Sequence, residues 1–236
     1  MKLVFPYRGG LLNGPVGSRA LESNPENSLW VLGMSDQPWI VDHDGPFGTL
    51  AAEFHPGGAY RFFSFPLREA QNQVLDAGSV FGAWGDRWRA ALEMEPTAEK
   101  KAARFQALLV ELLDRNDRGD PVVDAAVRLV RARRGLITVG ELADRTGYSP
   151  RWLTAKFEEK VGLGPKTLAE VLRFQNQFGF LTRWGGNKID FDGYYDQSHF
   201  SRQFKRFSGL PPAAYARARN EFLNLFQSAS DSYKTP

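Results

Sequence analysis

Gly193-Tyr-Tyr-Asp-Gln-Ser-His-Phe-Ser-Arg-Gln-Phe-Lys-Arg-Phe-Ser-Gly209, continued by Leu210-Pro211-Pro212, decides how this chain is read, because a weaker copy lies upstream as Gly147-Tyr-Ser-Pro-Arg-Trp-Leu-Thr-Ala-Lys-Phe-Glu-Glu-Lys-Val-Gly162. Superposing Phe157 on Phe204, a shift of 47 residues, also superposes Leu153 on Phe200, Lys160 on Phe207 and Gly162 on Gly209. The later copy carries one extra residue after its first glycine. A repeat of this period signals a duplicated structural unit. Each copy reads as a turn entering a short helix with a thin apolar side and a polar or basic opposite side. That is the shape of a helix that lies in a DNA major groove.

Working outward, Ser149 as N-cap with Pro150 at the first helical position opens the first of these helices, with Trp152, Leu153 and Phe157 inward. Ahead of it, Thr138 to Arg145 forms a helix capped by Thr138, with Glu141 at the capping-box position and Gly147 just past its end. Val122 to Arg133 forms another, with Val123, Val127 and Val130 inward. Pro165 to about Trp184 is a long helix with Leu168, Val171, Leu172 and Phe178 apolar, weakened by Gly179. About 19 residues at 1.5 Å each span about 28 Å, near the roughly 34 Å between major-groove segments one turn apart. One chain can therefore seat both copies on one face of a duplex. Asp196 reads as the N-cap of the second short helix, with Gln197 and Ser198 in its first turn; capping alone does not require Arg202 and Gln203 outward, whereas reading DNA does.

Charge follows the same division. The 236 residues carry a net +3, but residues 1–125 hold 12 Lys and Arg against 17 Asp and Glu, and residues 126–236 hold 18 against 10. The basic partner surface belongs to the second half. The absence of cysteine excludes disulfides, thiolate metal sites and a cysteine nucleophile, and fits a reducing compartment. Met1-Lys-Leu-Val-Phe breaks at Pro6, leaving no apolar signal core, and no run approaches the roughly 18 apolar residues of a spanning helix. These features read as a soluble, cytoplasmic chain without a membrane partner.

The first half is a succession of short apolar runs cut by Gly and Pro. Residues 28–34, 48–54 and 59–65 read as strands, with Phe54-His-Pro-Gly-Gly58 as a tight turn between the last two. Four of the six tryptophans fall in this β-rich region. Ala83 to Leu92 reads as a short helix. Residues 97–113 form an amphipathic one, capped by Thr97, with Phe105, Leu108, Leu109, Leu112 and Leu113 on one face. That face docks either within the chain or across a twofold homodimer. Breaker-rich residues 116–121 read as a linker, giving an α+β chain: a β-rich sensing or dimerising domain over 1–115, an all-α domain over 122–220 with two helix-turn-helix units joined by a long helix, and a polar tail over 221–236.

On these motifs the second half resembles the AraC/XylS family of bacterial transcription regulators over about residues 122–219, most specifically from Gly193 through Tyr215. The first half, with Phe54-His-Pro-Gly-Gly58 and Val80-Phe-Gly-Ala-Trp84, is similar to the shorter cupin-like sensor domains of that family, in a copy that lacks a first strand or more. The resemblance implies double-stranded DNA as partner, RNA polymerase if the protein activates, a small-molecule effector at the first half, and no cofactor. Carried over by position, base reading falls on Arg151, Thr154 and Ala155 and on Gln197, Ser198, Ser201 and Arg202. Arg202 suits guanine O6 and N7, Gln197 suits adenine N6 and N7, and the hydroxyls bond to either. Lys156, Lys205 and Arg206 suit phosphate. Two departures stand out. Ala155 holds a place often given to a longer polar side chain, with Glu158 and Glu159 following where acid repels DNA. The supporting helix before Gly193 would contain Gly185 and Gly186, each costing about 1 kcal/mol against Ala, and Ile189 stands where the first copy has Ala143. The other reading of the basic half is a protein-interaction or sensor module that has lost specific DNA readout.

The remaining chemistry is thin. His43, His55 and His199 are the only histidines, and the first half cannot supply the three histidines and a carboxylate of a cupin metal centre. Asp42, Asp44 and Glu53 read as solvated or turn residues, and no nucleophile, base and orienting group converge. His199 reads as packed on the core of the second copy or as touching a phosphate. Trp30, Trp39, Phe54, Phe62, Phe63 and Trp84 are core aromatics that would also line a small-molecule pocket.

Overall fold

The computed structural model describes residues 1–236 apart from 44, 117–118, 184–193 and 218–236. The β-rich half has seven strands: β1 (Lys2–Arg8), β2 (Leu11–Pro15), β3 (Glu22–Asn24), β4 (Trp30–Leu32), β5 (Trp39–Asp42), β6 (Gly48–Glu53) and β7 (Val74–Asp76). They make two antiparallel sheets, one ordered β6-β1-β4-β7 and the other β3-β2-β5. β1 is the spine of the first, pairing Leu3 with Val31 on one side and with Ala52 on the other. Its Leu3, Val4 and Phe5 are buried in succession, as befits a central strand covered on both faces. In the smaller sheet the side chains of Asn13 and Asn24 are buried, and Asn13 Nδ2 donates to Asn24 Oδ1, which satisfies that donor and acceptor but leaves Asn13 Oδ1 without a partner among the described residues.

The strand expected over 59–65 does not form. Ala59–Arg61 is a single 3-10 turn, and Ala59 and Tyr60 are buried side by side, which a strand's alternation forbids. The turn lets Tyr60 and Phe63, three residues apart, both enter the core. A second 3-10 turn, Leu67–Ala70, leads to β7.

Helices follow in order: α1 (Ala77–Phe81), α2 (Ala83–Glu93), α3 (Ala98–Asn116), α4 (Pro121–Ala132), α5 (Val139–Thr146), α6 (Pro150–Lys160), α7 (Pro165–Arg183), α8 (Gln197–Ser208) and α9 (Pro212–Arg217). The local signals place them. Thr97 Oγ1 accepts from the Lys100 amide at the start of α3, Asp120 caps α4 ahead of Pro121, and Thr138 and Glu141 form the reciprocal capping box of α5. Ser149 caps α6 and Asp196 caps α8. Gly147 and Gly209 end α5 and α8 in the left-handed conformation. The supporting helix expected between Trp184 and Asp192 lies outside the described residues.

One hydrophobic core runs through both halves, from Met1, Leu3 and Phe5 through Phe54, Phe63 and Trp88 to Val127, Leu153, Phe157 and Leu168. The apolar face of α3 docks within the chain: Phe105, Leu108 and Leu112 are buried in that core. Across the breaker-rich segment, α4 is pinned to the β-rich half. Tyr60 Oη donates to Asp124 Oδ1 (3.0 Å) and accepts from the Asp120 amide (2.6 Å), while Arg61 pairs with Asp124 at 2.7 Å. Gly57 lies against Val127, where a Cβ would come within 3.2 Å.

Candidate nucleic-acid interface

The helices of the two repeat copies, α6 and α8, show one exposure pattern. Over eight successive positions, residues 150–157 of α6 and 197–204 of α8 run exposed, exposed, half-buried, buried, half-buried, exposed, half-buried, buried. Leu153 and Phe157 are the buried pair in α6, Phe200 and Phe204 in α8. Arg151, Thr154 and Ala155 thus correspond in register to Ser198, Ser201 and Arg202, and in each set the first and last are exposed and the middle one half-buried. Gln197 is exposed as well. The Thr154 hydroxyl donates to the Pro150 carbonyl (2.9 Å), back along its own helix. Gln203, expected outward beside Arg202, is half-buried with its side-chain oxygen shut away from solvent. Its place in the repeat is that of Lys156, on the flank of the helix.

Aromatic packing seats α8. Phe174 of α7 meets Phe204 and Phe207 at centroid distances of 5.3 and 5.4 Å, and Tyr215 of α9 meets Phe204 at 5.5 Å. Tyr194 packs edge-on against Phe200, and burial pushes its phenol up to about 12. His199 lies edge-on to Tyr194, with Nδ1 accepting from the Tyr195 amide (3.3 Å). At the head of α6, Tyr148 stacks on Trp152 at 4.1 Å.

The cations expected at phosphate differ from one another. Lys205 is exposed. Lys156 pairs with Glu159 at 2.9 Å, and that bond, with the charge of Lys160, holds the Glu159 carboxyl below its ordinary range. Arg206 is gripped from two sides, by Glu170 of α7 and by Asp36 of the β-rich half, each at 3.0 Å. Sequence reasoning missed that pair; 170 positions separate its members and no local pattern links them.

The aromatic residues expected to line a pocket divide. Phe54, Phe62 and Phe63 form one cluster, with Phe62 4.6 Å and Phe63 5.5 Å from Phe54, and Phe63 stacks on Phe81. Trp84 packs on Trp88 and under the Arg115 guanidinium. Trp30 donates its indole N–H to Ser28 (2.5 Å), and Trp39 lies in the smaller sheet. Phe63 lines a cavity of about 180 Å³, together with Tyr60, Ser64, Phe65, Pro66, Glu159 and Lys160, where the β-rich half meets the end of α6. Among the described residues, no group of three or more His, Asp or Glu side chains could hold a metal ion, and no helix is long and apolar enough to cross a membrane.

Residues 142–218 match a family model described as a helix-turn-helix domain, of the AraC type. The matched stretch contains α6, α7, α8 and α9, and so both helices that share the exposure pattern. Among solved structures, apo ToxT, a variant from Vibrio cholerae strain SCE256, is similar with a TM-score of 0.46 and 9% identity, over 93% of this chain and 89% of that one. A second ToxT structure from Vibrio cholerae gives a TM-score of 0.42 and 11% identity, over 92% and 89%. No curated protein matches the chain.

Proposed function

We propose that the chain is a cytoplasmic, sequence-specific transcription regulator whose helices α6 and α8 read successive major-groove segments of double-stranded DNA. The observation that carries this reading is the shared exposure pattern of the two helices, which presents Arg151, Thr154 and Ala155 at the positions where α8 presents Ser198, Ser201 and Arg202. Two helices built alike, each turning the same flank to solvent, are what one duplex with two equivalent grooves requires. Base reading belongs to Arg202, Gln197 and Arg151, with the hydroxyls of Ser198 and Ser201 as lesser contacts. Lys205 supplies phosphate affinity. The small-molecule part of the reading rests on the cavity beside Phe63, which touches both the β-rich half and α6. RNA polymerase enters as partner if the protein activates.

Selection of bound sequences from random DNA by the full chain at two salt concentrations tests the proposal. Arg202→Ala is expected to relax preference at one base pair, a bidentate contact being worth about 1 to 3 kcal/mol. Lys205→Ala is expected to weaken every sequence alike and to flatten the salt dependence by about 0.9 in log–log slope. Equal losses on all sequences for both variants would replace the reading with that of an interaction module that does not read DNA.

A further inference from the structure

The carboxylate that holds Arg206 is itself held. Asp36 follows Ser35 in the loop between β4 and β5, and Asn72 fastens both. Asn72 Oδ1 accepts from the Asp36 amide (3.2 Å) and from Ser35 Oγ (2.9 Å), and its Nδ2 donates to Asp36 Oδ1 (2.9 Å). Asn72 does this from a left-handed backbone (φ +54°), which few residues other than Gly and Asn adopt readily. The second carboxylate oxygen, Oδ2, is left to face Arg206 Nη2 at 3.0 Å. On the other side Glu170 Oε2 takes Nη1 at 3.0 Å, and its side chain is 12% exposed against 45% for Arg206. One residue group beyond the arginine, a Cβ added at Gly209 would lie 3.2 Å from Val16 and 3.5 Å from Pro38 of the same β-rich half.

We propose that this acidic socket is a restraint on DNA binding: Asp36 occupies the Arg206 guanidinium, and a DNA phosphate has to displace the carboxylate before α8 can use that charge. The inference rests on the reading of α8 as a recognition helix. Two carboxylates on one guanidinium leave a local net charge of −1, which repels phosphate rather than attracting it. The hydrogen bonds from Asn72 and Arg206, against the opposing effect of burial, keep the Asp36 carboxyl below its ordinary range, so the restraint persists at neutral pH. The charge that the resemblance assigns to phosphate is therefore under the control of the other half of the molecule.

Binding of the full-length chain to a random-sequence DNA duplex, followed across a series of potassium chloride concentrations, tests the restraint. Asp36→Asn keeps the shape and the bonds to Asn72 while removing the charge. It is expected to raise affinity roughly two- to five-fold at low salt, the scale of an exposed ion pair, and to steepen the log–log salt slope by about 0.9 as one more phosphate is neutralised. In an Arg206→Ala background the same substitution is expected to change neither. A gain that persists without Arg206 would reduce Asp36 to a distant repulsive charge and overturn the socket. A loss of affinity on Asp36→Asn would overturn it as well, since docking would then be what readies α8 for DNA. If the unaltered chain binds no DNA under any of these conditions, it is the reading of α6 and α8 that fails.

Discussion

His55 shows how one side chain ties stability to pH. It closes the turn after β6, and its Nδ1 accepts from the Gly57 amide at 3.2 Å, so the neutral ring carries its proton on Nε2, a buried atom with no partner among the described residues. Burial, seconded by the charge of Arg131 and opposed by Asp124, pushes its pKa below the ordinary 6.5. The unfolded chain therefore takes up this proton at a higher pH than the folded one. The stability held by neutral His55 is complete above about 6.5 and is lost as pH falls through the lower folded value. The urea midpoint is expected to drop between pH 7.5 and 5.5, and His55→Asn, which offers an acceptor near the Nδ1 position without titrating, should shrink that drop. The Met1 amino group, buried and pushed down to about 5, acts with the same sign and remains in the variant, so the difference between the two chains isolates His55. An undiminished drop would assign the effect elsewhere.

At the scale of elements, the helix boundaries were legible because their causes are local. Ser149 with Pro150, Thr138 with Glu141, and Asp196 each satisfy backbone amides within three residues, and every one of these caps forms. The exposed faces of α6 and α8 were legible for a related reason: the repeat fixes which positions must match, and burial of Leu153 and Phe157, matched by Phe200 and Phe204, fixes the rest. The strands were less so. β4 and β6 fall within the runs 28–34 and 48–54 read as strands, but β3 and β7 have three residues each, too few to show an alternation, and β2 contains Asn13, Gly14 and Pro15, which are poor strand formers. The pairing of β7 comes from a partner far back along the chain, Leu75 with Val31. Distance in sequence also hid the ion pairs that occupy Arg206, whereas the pairing of Lys156 with Glu159 was within reach of a helical count of three. One element boundary carries its own test. Gly162 ends α6 with φ +86°, and a Cβ there would lie 3.1 Å from the Leu67 carbonyl. Gly162→Ala is expected to cost about 1 to 2 kcal/mol from backbone strain alone, read as a lower urea midpoint; an unchanged midpoint would mean that the turn at Leu67 yields freely.

Across the whole molecule, the continuous core and the bonds from Tyr60 and Arg61 to α4 make the two halves stand or fall together. Unfolding is therefore expected as one cooperative transition. Tryptophan fluorescence weights the β-rich half, which holds Trp30, Trp39, Trp84 and Trp88, whereas far-ultraviolet circular dichroism weights the helices of the second half. The two curves should coincide in urea, and two separated midpoints would show that the halves are only loosely joined. The duplicated glycines add a further consequence. Gly162 abuts Leu67 and Gly209 abuts the corner made by Val16 and Pro38, so α6 and α8 each rest on a different abutment of the same foundation. On the proposed reading of DNA, displacing one abutment would tilt one helix and leave its twin in place, so the two halves of a bound site would be separately tunable from the β-rich half.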